Sequence, residues 1–237
     1  MLDSPRVVDP RFLLTNDDGI DAPGLAALAA AVADLGDSVW IAPHEPQSGC
    51  SHRVTTEDPL RVQRRGEGRW AVEGTPADCV RLGLAQFVPQ VKWVLAGINH
   101  GGNLGADVHH SGTVAAVREA ALHGIPGIAL SQYRKRGQDF DWQRAVQWLR
   151  PLVRELLGKS WSAGTFWNIN LPQLAPDAPD PQVVICPLDP SPLPLSYRDE
   201  NGLLHYNGNY HERARRPGSD VDVCFRGQIS ATLLSIM

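Results

Sequence analysis

The chain has 237 residues, 43% of them hydrophobic and 20% charged, with a formal net charge of -4. That length can bury the core of one large α/β domain or of a domain with an appendage, and the mild acidity leaves no basic footprint for duplex nucleic acid. No apolar run approaches the roughly 18 residues of a membrane-spanning helix, so no membrane partner is expected. The opening Met1-Leu2-Asp3-Ser4-Pro5-Arg6 lacks the basic and then apolar order of a signal peptide. Cys50, Cys79, Cys186 and Cys224 lie far apart with no zinc-type spacing, which suits a reducing, cytoplasmic compartment.

In chain order, residues 11–15 read as a first strand, and Ala22-Pro23 opens a helix that runs to Leu35-Gly36, with proline early where its missing donor costs little. Ser38 to Ala42 is a second strand, followed by a polar loop from Pro43 to His52 and a hairpin around Arg65-Gly66-Glu67-Gly68. Thr75 caps a helix with Pro76 in its first turn. Val91 to Ala96 is a strand, residues 97–112 a glycine-rich loop, and Ser111-Gly112-Thr113 the start of an Ala/Val-rich helix ending near His123-Gly124. Ile128 to Leu130 is another strand, and Trp142 to Leu157 an amphipathic helix. This alternation predicts an α/β fold with a mostly parallel sheet flanked by helices, here residues 1–171. Residues 172–237 change character: a proline-dense stretch from Pro172 to Pro194, short hairpin pieces from Tyr197 to Tyr210 and a last strand from Gln228 to Leu234. They read as a β-rich extension within the same structural unit.

The chemistry concentrates in loops that follow strands. Phe12-Leu13-Leu14-Thr15 runs straight into Asn16-Asp17-Asp18-Gly19, which places two carboxylates at the sheet end where open α/β folds bind ligands. Such neighbours repel and lose hydration unless a cation or a shared proton compensates. The same residues also suit a turn and a helix cap. If the strands are neighbours, Ser48 and Asn99 join Asp17 and Asp18 around one point, an all-oxygen set suited to one Mg²⁺ or Mn²⁺ and poor for zinc. Asn103, Ser111, Gly112 and Thr113 lie where glycines and a helix start could receive a phosphate, although Ser111 could equally be a simple cap. His100, His109 and His110 sit in the glycine-rich loop as possible acids or bases or as plain loop residues. There is no P-loop, no well-placed dinucleotide fingerprint, no spaced aspartyl pair of the phosphoaspartyl type and no G-x-S-x-G elbow.

Five blocks occur in order: Leu13 to Ile20 with Ala22-Pro23-Gly24, Ala42-Pro43 with Gln47-Ser48-Gly49, Gly74 to Val80, Gly97 to Gly105, and Ser111 to Ala116. In that order they resemble the SurE (survival protein E) family of metal-dependent 5′/3′-nucleotidases. The resemblance implies a Rossmann-like core, a C-terminal extension that builds homodimers or homotetramers, and hydrolysis of nucleoside monophosphates, in some members also of short polyphosphate. It puts the metal ligands on Asp17, Asp18, Ser48 and Asn99, with Asp17, Asp18 and Asn99 as catalytic residues. Ala96, His110 and Gly218-Ser219-Asp220 depart from the usual family residues, and none of them is an expected ligand. The alternatives are a dinucleotide-dependent Rossmann enzyme, which added NAD would reveal, and a non-catalytic nucleotide-binding module, which four intact ligand positions disfavour.

Overall fold

A computed structural model describes residues 11–135 and 137–236; the reading made on Met1 to Arg6 lies outside them. The run Phe12–Thr15 forms β1 and is buried throughout. Pro23 starts α1 (Pro23–Val32), which ends before Leu35; there the Leu35 N–H bonds to the Val32 carbonyl at 2.9 Å, and Gly36 turns the chain with φ +148°. β2 (Ser38–Pro43) follows, then the hairpin of β3 (Val62–Gly66) and β4 (Arg69–Val72). Thr75 and Asp78 cap α2 (Pro76–Leu82) reciprocally, each side chain bonded to the other's backbone N–H.

β5 (Trp93–His100) continues past the expected end at Ala96. A bulge between Ala96 and Asn99 absorbs the glycine-rich sequence while pairing with β6 resumes, Asn99 opposite Ser131. Gly97 is required here, because a Cβ would lie 2.1 Å from the Leu130 carbonyl oxygen. Ser111 caps α3 (Gly112–Leu122) by accepting the Val114 N–H at 3.0 Å. β6 (Gly127–Gln132), α4 (Trp142–Leu157) and β7 (Thr165–Leu171) complete the alternating part. β7 had no clear signal, because Trp167-Asn168-Ile169-Asn170 buries asparagines where a strand pattern would show apolar residues.

The segment after Leu171 contributes β8 (Val183–Ile185), a separate hairpin of β9 (Tyr197–Glu200) and β10 (Leu203–Tyr206), α5 (Asp220–Phe225) and β11 (Ile229–Ser235). Among the described residues, the main sheet runs β3-β4-β2-β1-β5-β6-β7-β11-β8. It is parallel from β4 to β7, with β3 antiparallel at one edge and β11 antiparallel to β7. α1 and α4 bury Leu25, Leu28, Leu149 and Val153 on one face, against Leu14, Leu95 and Ile169. α2 and α3 bury Val80, Val114 and Val117 on the other, against Leu13, Ile41 and Val94. The strands' alternation therefore feeds two cores, and the loops at the carboxyl ends of β1, β2 and β5 meet on one edge. No described helix is long and apolar enough to cross a membrane.

Candidate active site

Asn16 shapes the turn after β1. Its Nδ2 donates to the Gly19 carbonyl at 2.8 Å and its Oδ1 accepts the Gly19 N–H at 3.2 Å, with Gly19 at φ +104°. The Ile20 N–H then bonds to the Pro43 carbonyl at 2.8 Å, docking the turn on the end of β2. Gly24 permits the close approach of α1 to β5, since a Cβ there would sit 2.0 Å from the Ile98 carbonyl oxygen. Asp17 and Asp18 are thus fixed between the flanking strands.

Each aspartate also holds a neighbouring loop. The Asp17 carbonyl accepts the Gln47 N–H at 2.7 Å, tying down the segment that carries Ser48. The Asp18 Oδ2 accepts the His100 N–H at 3.1 Å, fixing the segment that carries Asn99. Ser51 closes the ring: its Oγ donates to the His109 carbonyl at 2.7 Å and its N–H to the His110 carbonyl at 3.1 Å. An open cleft of about 320 Å³ results, whose walls include Asp17, Ser48, Asn99, Asn103 and Ser111. Asn99 Nδ2 donates to the Gly101 carbonyl at 2.8 Å, which leaves its Oδ1 as the amide's unspent acceptor. Asp18 stands beside the cleft with its side chain 12% exposed.

The electrostatics are those of uncompensated negative charge. Asp17 is 4% exposed, and burial raises its carboxyl to about 6; Thr113 hydrogen bonding opposes the shift and the Asp18 charge adds to it. Burial also raises Asp18, against the His100 N–H. Among the described residues, neither aspartate has a Lys or Arg partner; the ring of His100, 3.6 Å from Asp18, is the nearest basic group. Burial and the Arg134 charge hold that imidazole below its ordinary value, so at neutral pH it offers little compensation. Two carboxylates without a Lys or Arg partner among the described residues, together with a hydroxyl and an amide oxygen, fit a hard divalent cation.

The expected phosphate-handling residues separate into different roles. Thr113 is fully buried, and both its hydroxyl and its N–H go to Asp17, so the carboxylate is its immediate partner. Ser111 spends its hydroxyl oxygen on the helix cap but lines the cleft. Gly112 gives Asp17 its space: a Cβ there would lie 2.9 Å from both the Asp17 Cβ and the Cys50 sulfur. Asn103 is held by β6 and β7. Its Nδ2 donates to Ser131 at 2.8 Å, its N–H donates to Asn170 Oδ1 at 2.7 Å, and its carbonyl accepts from Asn168 and Asn170. The buried asparagines of β7 thereby satisfy the loop backbone that crosses them. His100 and His110 line the cleft.

Two lining residues, Leu193 and Tyr210, come from the C-terminal segment. Asp220 binds that segment to the loop, accepting the Gly105 N–H and the Asp189 N–H, each at 2.8 Å. Arg213, 5% exposed, donates to the Leu104 carbonyl at 2.8 Å and pairs with Asp107 at 3.2 Å. Leu193 and Tyr210 escaped the sequence reading because nothing local to them marks a site formed by residues far earlier in the chain, while Asp107 lies inside the glycine-rich loop and was not singled out there. The Gly218-Ser219-Asp220 element was the one available signal of the docking.

The family model described as survival protein SurE matches residues 12–188. A protein of Nostoc sp., named as a candidate 5′-nucleotidase, is 52% identical over 225 residues, covering 95% of this chain and 99% of that protein. The 5′-nucleotidase SurE of Paramagnetospirillum magneticum is 38% identical over 241 residues, covering 97% and 92%. The crystal structure of the SurE protein from Aquifex aeolicus superposes with a TM-score of 0.83 at 31% identity, covering 95% of this chain and 93% of that one. The match spans the Asp17-Asp18 turn, the three converging loops and the sheet that carries them, and the chain belongs to the SurE family.

Proposed function

We propose that this 5′-nucleotidase hydrolyses nucleoside monophosphates to nucleoside and phosphate with one divalent cation, Mg²⁺ or Mn²⁺, held by Asp17, Asp18, Ser48 and Asn99. The observation that carries the reading is the pair of adjacent, largely buried carboxylates with no Lys or Arg partner among the described residues, beside the start of α3. A bound cation there would polarise the phosphoryl oxygens and ease deprotonation of a water. Thr113 holds Asp17 in one orientation through its hydroxyl. Asn103, Ser111 and Gly112 lie where they can receive the phosphate, with the partial positive charge of the helix start favouring it. Asp17 or Asp18 orients the attacking water, and direct in-line attack by that water is the preferred route, since the carboxylates and Ser48 would be taken up in holding the cation and the Ser111 hydroxyl caps α3. Phosphate release from a panel of 5′- and 3′-nucleotides and short polyphosphate, with Mn²⁺ present, tests the reading and ranks these substrates. Release from none of the nucleotides would overturn it.

Gly112→Val should affect metal and phosphate together. Its side chain must displace Asp17 or Cys50, and overpacking of this kind typically costs about 1–3 kcal/mol. Calorimetry should show Mn²⁺ affinity lowered by roughly tenfold or more, the fold-change of about 1.4 kcal/mol. Unaltered Mn²⁺ binding with weakened nucleotide binding would mean that Gly112 serves the phosphate alone.

The segment from Pro172 onward also supports self-association as a homodimer or homotetramer. The β9–β10 hairpin exposes Tyr197, Leu203, Leu204 and Tyr206, with Leu203 at 65% and Leu204 at 69%, an apolar surface of the kind that marks contact sites. The paired substitution Leu203→Glu with Leu204→Glu should convert the oligomer to monomer in light scattering. A monomeric parent at micromolar concentration would contradict the assembly role. The four cysteines are free thiols, which supports a reducing, cytoplasmic setting.

A further inference from the structure

The polar cleft borders a second, largely apolar groove. Its walls are Ala106 and His110 on one side and Pro192, Leu193, Tyr206 and Tyr210 on the other. His110, Leu193 and Tyr210 line both spaces, so the two lie side by side. The groove encloses about 480 Å³. Its chemistry contrasts with the cleft, which holds Asp17, Ser48, Asn99 and Asn103.

We propose that this groove is the nucleobase subsite, with Leu193 and Tyr210 of the C-terminal segment as the residues that grip the base. The proposal rests on the nucleotidase reading, since the base must lie beside a phosphate held near Asp17. A nucleoside monophosphate is anionic at one end and flat and apolar at the other, and the paired spaces match that division. Tyr210 is preorganised for the task. Its hydroxyl donates to Asp107 and the Arg213 guanidinium lies 4.6 Å from its ring centroid. The phenol therefore keeps its proton, since burial and the Asp107 charge push its ionisation well above the usual range. A ring fixed in this way loses little freedom when a base stacks against it. Leu193 is half-buried and takes no part in the hydrogen bonding that docks the segment, so it can be altered without undoing the fold.

The experiment compares AMP with ribose 5-phosphate, the same phosphoester lacking a base, on the full chain with Mn²⁺. Leu193→Asn, a polar change that adds no charge beside the phosphate, should raise KM for AMP about tenfold more than KM for ribose 5-phosphate, the loss of a desolvated base contact. Tyr210→Leu should act in the same direction. Adenosine, which has the base but no phosphate, should inhibit the parent competitively and fail to inhibit Leu193→Asn. Equal losses for both esters, or an unchanged ratio between them, would overturn the subsite. So would an altered oligomeric state with that ratio preserved, because the groove would then be a contact between copies of this chain. Loss of the AMP preference in Phe140→Ala would overturn it too, because Phe140 packs near His100 and lines neither space. A parent that releases phosphate from neither ester defeats the nucleotidase reading instead, and adenosine binding by calorimetry then decides the groove by itself: binding lost in Leu193→Asn supports it, and no binding to the parent or binding kept in the variant overturns it.

Discussion

Asp17→Asn is expected to abolish nucleotide hydrolysis, lowering kcat/KM by about a thousandfold or more, roughly 4 kcal/mol of transition-state stabilisation. The substitution keeps shape and removes a charge from a site whose other carboxylates are Asp18 and Asp107, the latter already paired with Arg213. Asp18→Asn should be comparably damaging. Ser48→Ala removes a neutral oxygen from an exposed loop position where water can take its place, so a loss of about tenfold or less is expected at saturating metal. Steady-state kinetics over a Mn²⁺ titration separate the cases, and equal damage from Ser48→Ala and Asp17→Asn would overturn the ranking. Stability should move the other way. The Asp17 carboxyl, raised to about 6 by burial, is charged at pH 7, and that charge opposes folding at any pH above the ordinary carboxylate range. Asparagine removes the cost, so the metal-free variant should melt at or above the parent while losing its response to Mn²⁺.

Removal of divalent cations is expected to have the second large effect. Protein dialysed against excess chelator should release phosphate at background rate and recover with Mg²⁺ or Mn²⁺. The physical reason is that adjacent buried carboxylates repel an incoming phosphoester until a cation reverses the local sign. The same binding should be visible without turnover. Metal at about a hundred times its dissociation constant stabilises the folded state by roughly 2.7 kcal/mol, which for a chain of this size raises Tm by about 5–10 °C. Full turnover in chelator, or no thermal shift in the parent, would sink the metal reading.

Much of the architecture was legible because its signals are local. The apolar run Phe12–Thr15 meeting Asp17-Asp18, the Thr75-Pro76 cap and the alternation up to α4 each depend on residues within a turn or two of one another. The convergence of Asp17, Ser48 and Asn99 could be anticipated as well, because parallel strands must place their following loops on the same edge. β7 was hidden for a different reason: its buried Asn168 and Asn170 serve the backbone of Asn103, a distant partner.

The chain by itself determined that two carboxylates would stand at the end of a buried strand in an α/β sheet, since hydrophobic period and turn chemistry need no knowledge of the partners. Tertiary structure alone decided what each polar group faces. It turned Thr113 toward Asp17, seated Gly112 against the same carboxylate, inserted β11 between β7 and β8, and carried Leu193 and Tyr210 to the mouth of the cleft. These outcomes depend on which distant surfaces pack together and on which buried donor finds which acceptor. Both are settled by burial and hydrogen-bond satisfaction over the whole molecule, which leave no local trace in the sequence.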